Sequence, residues 1–190
     1  MDNKYIEEYL RKQEACLKAL PQDQIVQLID IFKKAWEEER QIFVCGNGGS
    51  AANASHFITD LSKAASDKMN KRFKGMTLND NVSWLTALGN DYSYEDIFVG
   101  QLKNFAQEGD LFMALSVSGN SPNVVKAMKW ANDEKLQTIA LVGGQRGALA
   151  DLASFSIAVD EEHYGRVEDT QMSICHMICY AFIEDSQIGK

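Results

Sequence analysis

Apolar residues in the first forty positions recur at helical spacing, and beyond them the rhythm changes to short continuous runs. Tyr5, Ile6, Tyr9, Leu10, Cys16, Leu17 and Leu20 mark one face of a helix over residues 3–20. Pro21 resets the chain, and Ile25, Leu28, Ile29, Phe32, Ala35 and Trp36 mark a second helix that the solvated cluster Glu37-Glu38-Glu39-Arg40 ends. Apolar runs at 41–45, 73–78, 111–116, 138–142 and 155–159 then read as strands. Helical patterns or long connections separate them, including residues 50–66, 93–107, 121–134 and a final helix near 167–185. Strands alternating with helices predict an α/β fold whose parallel sheet is covered on both faces. Trp36, Trp84 and Trp130 are expected to pack between helices, and Met172, Met177 and Cys175 to face the core from the last one.

Composition narrows the class. The 190 residues suffice for one large domain, and at this size folding buries roughly 70% of the unfolded surface. A chain that is 45% hydrophobic and 24% charged is neither disordered nor fibrous. Nineteen basic against 27 acidic residues give a formal charge of −8, the wrong sign for a protein that tracks a nucleic-acid backbone. No run of 18 apolar residues occurs and Met1-Asp2-Asn3-Lys4 opens no signal peptide, so a cytoplasmic protein with no membrane and no nucleic-acid partner is expected. Cys16, Cys45, Cys175 and Cys179 show no zinc-ribbon pairing; the last two share a helical face, as buried thiols of a reducing compartment would.

Ligands of open parallel sheets bind beyond the carboxyl ends of the strands, so the strand-to-helix turns carry the functional information. Cys45-Gly46-Asn47-Gly48-Gly49-Ser50 follows the first strand and opens a helix whose free N–H groups suit an anion. Gly46, Gly48 and Ala51 satisfy a loose dinucleotide pattern, but the ribose-binding acid due about 20 residues later is missing, and Asp80 lies too far along. A P-loop is excluded because no Gly-Lys-Ser/Thr follows. The second turn, Ser116-Val117-Ser118-Gly119-Asn120-Ser121-Pro122, places Ser121 at an N-cap and Pro122 at the first helical position. Its three hydroxyls exceed what capping needs and suit a neutral phosphate cradle.

His56 and Asp60 are four apart on one helical face, and Glu168 and His176 share a broad face of the last helix, about 80° apart. Together they could ligate zinc or a similar divalent ion, or act as general acid and base. By spacing alone an i, i+4 His–Asp pair is usually an ordinary surface ion pair, and periodicity does not separate Glu168 from Asp169. His163 reads as a loop residue before that helix.

These segments in this order resemble the sugar isomerase (SIS) domain family, most closely its members that isomerise sedoheptulose 7-phosphate. The resemblance covers Gly46–Ser50 with His56-Phe57, Gly89-Asn90-Asp91 with Asp96-Ile97-Phe98, Ser116–Ser121, and residues 166–184. It implies a three-layer α/β/α sandwich on a five-stranded parallel sheet of flavodoxin type. Residues 1–190 would form a single SIS domain, with residues 1–40 a helical extension used for oligomerisation. It implies an aldose–ketose isomerase converting sedoheptulose 7-phosphate to D-glycero-D-manno-heptose 7-phosphate through an enediol, at the start of nucleotide-activated heptose synthesis. Substrate contacts would come from Asn47, Gly48, Gly49, Asp60, Asn90, Asp91, Ser116, Val117, Ser118, Ser121 and Glu168. His56, Asp60, Glu168 and His176 would hold one zinc ion per subunit, with Asp60 and His176 also moving protons and no organic cofactor needed. The assembly implied is a homotetramer with active sites between subunits.

Three positions depart from the family pattern: Asp60 for Glu, Glu168 for Gln, and Val117 for Thr. They shorten a carboxylate, add a negative charge that would favour a divalent cation, and remove a hydroxyl from the cradle. Two other readings remain: an SIS scaffold associating with the replication initiator protein, which residues 46–57 also resemble, and an isomerase or sensor of another sugar phosphate.

Overall fold

The computed structural model describes residues 3–184. Two antiphase apolar patterns explain its layers. In β1 (Gln41–Cys45), Ile42 and Val44 point to one side and Phe43 and Cys45 to the other, yet all four are fully buried. The same holds in β3 (Leu111–Ser116) and, after Gln137, in β4 (Gln137–Val142). Strands apolar on both faces need helices on both faces. With the shorter β2 (Lys74–Thr77) and β5 (Phe155–Ala158) they form one sheet, all parallel, in the order β2-β1-β3-β4-β5.

One face carries α2 (Gln22–Glu37), α3 (Gly49–Thr59) and α8 (Tyr164–Glu184), whose Phe32, Phe57 and Ile178 meet Val44, Met113 and Leu141. The other carries α5 (Val99–Phe105), α6 (Pro122–Asp133) and α7 (Gly147–Leu152) against Phe43, Phe112 and Ala140. α1 (Asn3–Lys18) lies on α8: Gln13 Nε2 donates to Thr170 Oγ1 at 2.9 Å, and Cys16 is its one buried residue. Order 2-1-3-4-5 places the topological switch point between β1 and β3. The glycine turn and the serine turn leave the sheet side by side there.

The expected architecture and the five strands are present, with ends shifted by a residue. Residue 185, the expected end of the last helix, lies outside the described residues. The stretch 93–107 is not one helix: it splits into a 3-10 turn (Tyr94–Asp96) and α5. α4 (Val82–Asp91) and α7 were not legible as helices, being short and, for α4, devoid of buried residues. Met177 is 42% exposed rather than core, because it sits on the solvent side of α8 while Cys175 and Ile178 face inward. Trp36 is buried, Trp84 on α4 is half-buried edge-on to Phe105 of α5, and Trp130 packs partly buried on the core, all between helices as expected. All four cysteines are free and buried, and among the described residues no helix is long and apolar enough to cross a membrane.

Candidate functional site

The glycine turn is tight because its neighbours leave no room for side chains. A Cβ on Gly46 would stand 2.7 Å from the Ser50 backbone, and Gly48 adopts φ +57. A Cβ on Gly49 would fall on the Glu168 carboxylate, which α8 presses against the start of α3. Asn53 Nδ2 ties the helices further by donating to the Glu168 carbonyl at 2.9 Å. Burial, and then the neighbouring Asp169 charge, raise the Glu168 carboxyl above the usual range.

α3 passes directly into a π-helical turn over Asp60–Ala65, a feature frequent at functional sites. This turn begins at Asp60 and sets its carboxylate between two imidazoles. Asp60 Oδ2 lies 3.3 Å from His56 Nε2 and 3.6 Å from His176 Nε2. The two rings meet edge to face with centroids 5.2 Å apart. One ligand atom from each of the three residues falls within 4.8 Å of the others. Two nitrogens and one oxygen at this spacing suit zinc, which takes three protein ligands and keeps a position open in catalytic sites. The shorter Asp60 therefore still reaches both histidines. Glu168, expected as a fourth ligand, is not in this group.

Behind the group lie Cys175 and Cys179, whose thiols burial pushes well above their ordinary range. The group itself is half open, with the His56 and His176 side chains 53% and 43% exposed.

The serine turn is organised by its own hydroxyls. Ser116 Oγ accepts from Gly119 N at 3.1 Å and Ser118 Oγ from Asn120 N at 3.2 Å. Each hydroxyl so engaged keeps its hydrogen to donate, as an anion requires. Ser121 occupies the N-cap of α6 with Pro122 behind it, but its side chain caps nothing. Val117 buries its side chain in the core, and its carbonyl accepts from Gly143 N at 3.0 Å, so only backbone is offered to a ligand.

Between the glycine turn and α4 opens a cleft of about 550 Å³ lined by Gly46, Asn47, Ser55, Thr86, Gly89 and Tyr94, among others. Its lining holds Ser55 but not His56, Asp60, His176 or the serine turn. Asn90 and Asp91 end α4 and bond to each other at 2.9 Å; Asp91 faces a neighbouring cavity beside Asp96 and Lys103. Within one chain the expected residues thus form three separate groups: the histidine–aspartate cluster, the paired turns with the cleft, and the end of α4.

Residues absent from the sequence reading hold the turns. Asn79 brackets Gly46, accepting from its N–H at 3.2 Å and donating to its carbonyl at 2.8 Å. Asn123 pairs with Asn47, and Tyr94 Oη donates to Asn47 Oδ1 at 3.2 Å. Single asparagines in polar stretches carry no periodic signal that would have found them. His163 precedes α8 as expected, its ring edge-on to Tyr9.

The SIS domain family matches residues 4–143 of this chain. The phosphoheptose isomerase of Helicobacter pylori is 32% identical over 181 residues, covering 94% of both chains. The probable phosphoheptose isomerase of Thermoplasma volcanium is 41% identical over 139 residues, covering 73% of this chain and 70% of its own. Among solved structures, a phosphoheptose isomerase from Francisella tularensis superposes with a TM-score of 0.85 at 27% identity, over 96% of each chain.

Proposed function

This chain belongs to the SIS domain family, beside the phosphoheptose isomerases, and from that membership we propose that it converts sedoheptulose 7-phosphate to D-glycero-D-manno-heptose 7-phosphate. The observation that carries the reading is the convergence of His56, Asp60 and His176 from positions up to 120 residues apart. A scaffold that only binds other proteins has no need of a carboxylate held between two imidazoles.

The phosphate binds the serine turn, whose hydroxyls and the N-terminus of α6 supply donors without a cation. Anchoring this remote group lets its binding energy position the reacting carbons. A base removes the C1 proton of the open-chain ketose, and the resulting enediol is protonated at C2 to give the aldose. Asp60 acts at carbon and His176 at the oxygens. Support for this pair is their 3.6 Å approach and their accessibility at one edge of α3. His56, Asp60 and His176 would hold zinc, with Glu168 a further ligand only if it moves from Gly49. When bound, the ion would polarise the carbonyl and stabilise negative charge on the enediolate oxygens.

The three groups separated within one chain are to be completed between subunits of a homotetramer. Exposed Tyr5, Ile6 and Leu10 on α1 support residues 1–40 as an assembly surface. Localisation in the cytoplasm belongs to the same reading.

The experiment is conversion of sedoheptulose 7-phosphate by the zinc-loaded protein, followed by NMR, with His176→Ala alongside. Turnover that vanishes in the variant supports reaction and residue together. No turnover by the wild-type tetramer rejects the heptose assignment.

A further inference from the structure

The glycine turn and the serine turn come from strands adjacent at the switch point, yet their sequences lie some seventy residues apart, and something must hold them in register. One side-chain pair does so. Asn47 Nδ2 donates to Asn123 Oδ1 at 2.9 Å, and Asn123 Nδ2 donates to Asn47 Oδ1 at 2.9 Å. Asn123 is in the first turn of α6, directly after Ser121 and Pro122, and is 1% exposed.

The direction of this pair is set by a backbone N–H, which can only donate. Val124 N–H meets Asn123 Oδ1 at 3.0 Å, so that end of the amide must be oxygen. Asn47 must then face it with nitrogen, which leaves Asn47 Oδ1 toward Asn123 Nδ2. Tyr94 Oη, at 3.2 Å, donates to that same Asn47 oxygen. Asn47 therefore has both ends of its amide engaged by the protein, with one Nδ2 hydrogen remaining. A ligand in the cleft meets a turn already oriented by the helix that follows the serine loop.

We propose that Asn123 is a positioning residue that latches the glycine turn to the serine loop, so that a phosphate held by one is in register with a sugar held by the other. The proposal rests on the sugar-phosphate reading of the site. Asp at 123 accepts from Val124 and Asn47 but cannot donate back, and it buries a charge. Ala or Leu leaves both ends of Asn47 without that partner. Register matters because displacements near 1 Å in a reacting pair can cost about 100-fold in rate.

The test uses full-length Asn123→Ala and Asn123→Asp, checked for native melting and assembly, with sedoheptulose 7-phosphate as substrate and inorganic phosphate as competitive inhibitor. The expected result is a loss of tenfold or more in kcat/KM with the phosphate inhibition constant within about twofold of wild type, because the serine loop itself is intact. Unchanged kcat/KM in folded Asn123→Ala overturns the latch, and so does weakening of phosphate in step with kcat/KM, which would mean general collapse of the loop.

A wild-type protein that turns over no substrate counts against the heptose reading alone. The latch is then read from the Asn47 side-chain amide signal during titration with inorganic phosphate. It should shift in wild type and stay still in Asn123→Ala; a silent signal in wild type overturns the proposal.

Discussion

Replacing Gly119 by alanine tests whether the serine loop owes its shape to the β4–α7 connection packed on it. Gly119 has φ +65, and a Cβ there would run into the carbonyl of Arg146. The left-handed conformation alone costs a side chain about 1–2 kcal/mol. Because the obstacle is backbone, relief requires the two loops to part, endangering Leu149 N to Gly119 O at 3.0 Å and Gly119 N to Ser116 Oγ at 3.1 Å. At about 1 kcal/mol each, the total is about 3 kcal/mol, or about 6–12 °C in melting temperature for a chain of this size.

Gly48→Ala is the control. Its φ of +57 with ψ −123 lies outside the left-handed helical well, where a side chain costs about 1–3 kcal/mol, but nothing lies within 4 Å of the added carbon, so its loss is torsional alone. Thermal unfolding followed by circular dichroism reads both variants. A loss of only about 2–4 °C in Gly119→Ala, the torsional cost alone, would refute the argument that steric contact between the loops demands Gly119. In kinetics, Gly119→Ala should raise KM for the sugar phosphate, since the displaced loop carries Ser118 and Ser121.

Other outcomes follow from the same geometry. Zinc at about 100 times its dissociation constant should stabilise the protein by about 2.7 kcal/mol, raising melting by about 5–10 °C; His56→Ala should abolish the rise, and a wild type indifferent to zinc would deny the metal site. His176→Ala should lower kcat by about 100-fold to 10,000-fold if it transfers protons, read by NMR turnover. The Arg166 guanidinium, 2.6 Å away, with the His163 backbone N–H, lowers the Glu161 carboxyl to about 2. A depressed carboxyl contributes stability above its unfolded value of 4.5 that is lost as pH falls toward about 2. Glu161→Gln should therefore lower stability at pH 7 and flatten that acid limb in denaturant titrations. Ellman's reagent at pH 8 should find Cys45, Cys175 and Cys179 unreactive in the folded protein and all four thiols reactive once it is unfolded, because burial raises these thiols.

The sequence by itself determined what depends on local order. Continuous apolar runs such as 111–116 and 138–142, short and bounded by turn residues, read as strands buried on both faces, and their alternation with helices argues for a parallel sheet. Glycines at 46, 48 and 49 and hydroxyls at 116, 118 and 121 marked the two turns because close backbone approach and anion donors need those residue types. The i, i+4 spacing of His56 and Asp60 was equally legible, but not its meaning, since an exposed ion pair has the same spacing. Only tertiary structure brought His176 from α8 to Asp60, turned Glu168 away to Gly49, and paired Asn47 with Asn123. Each of these depends on how α8 and α6 rotate against α3 and the sheet, which is settled by packing over the whole core. Short elements failed for a related reason: α4 is ten residues long and only half-buries Leu85 and Leu88, so its apolar spacing is too brief to stand out, and Met177 faces solvent because rotation of α8 gives the core to its neighbours. Local chemistry is written in residue order, whereas convergence is written in the packing that joins distant residues.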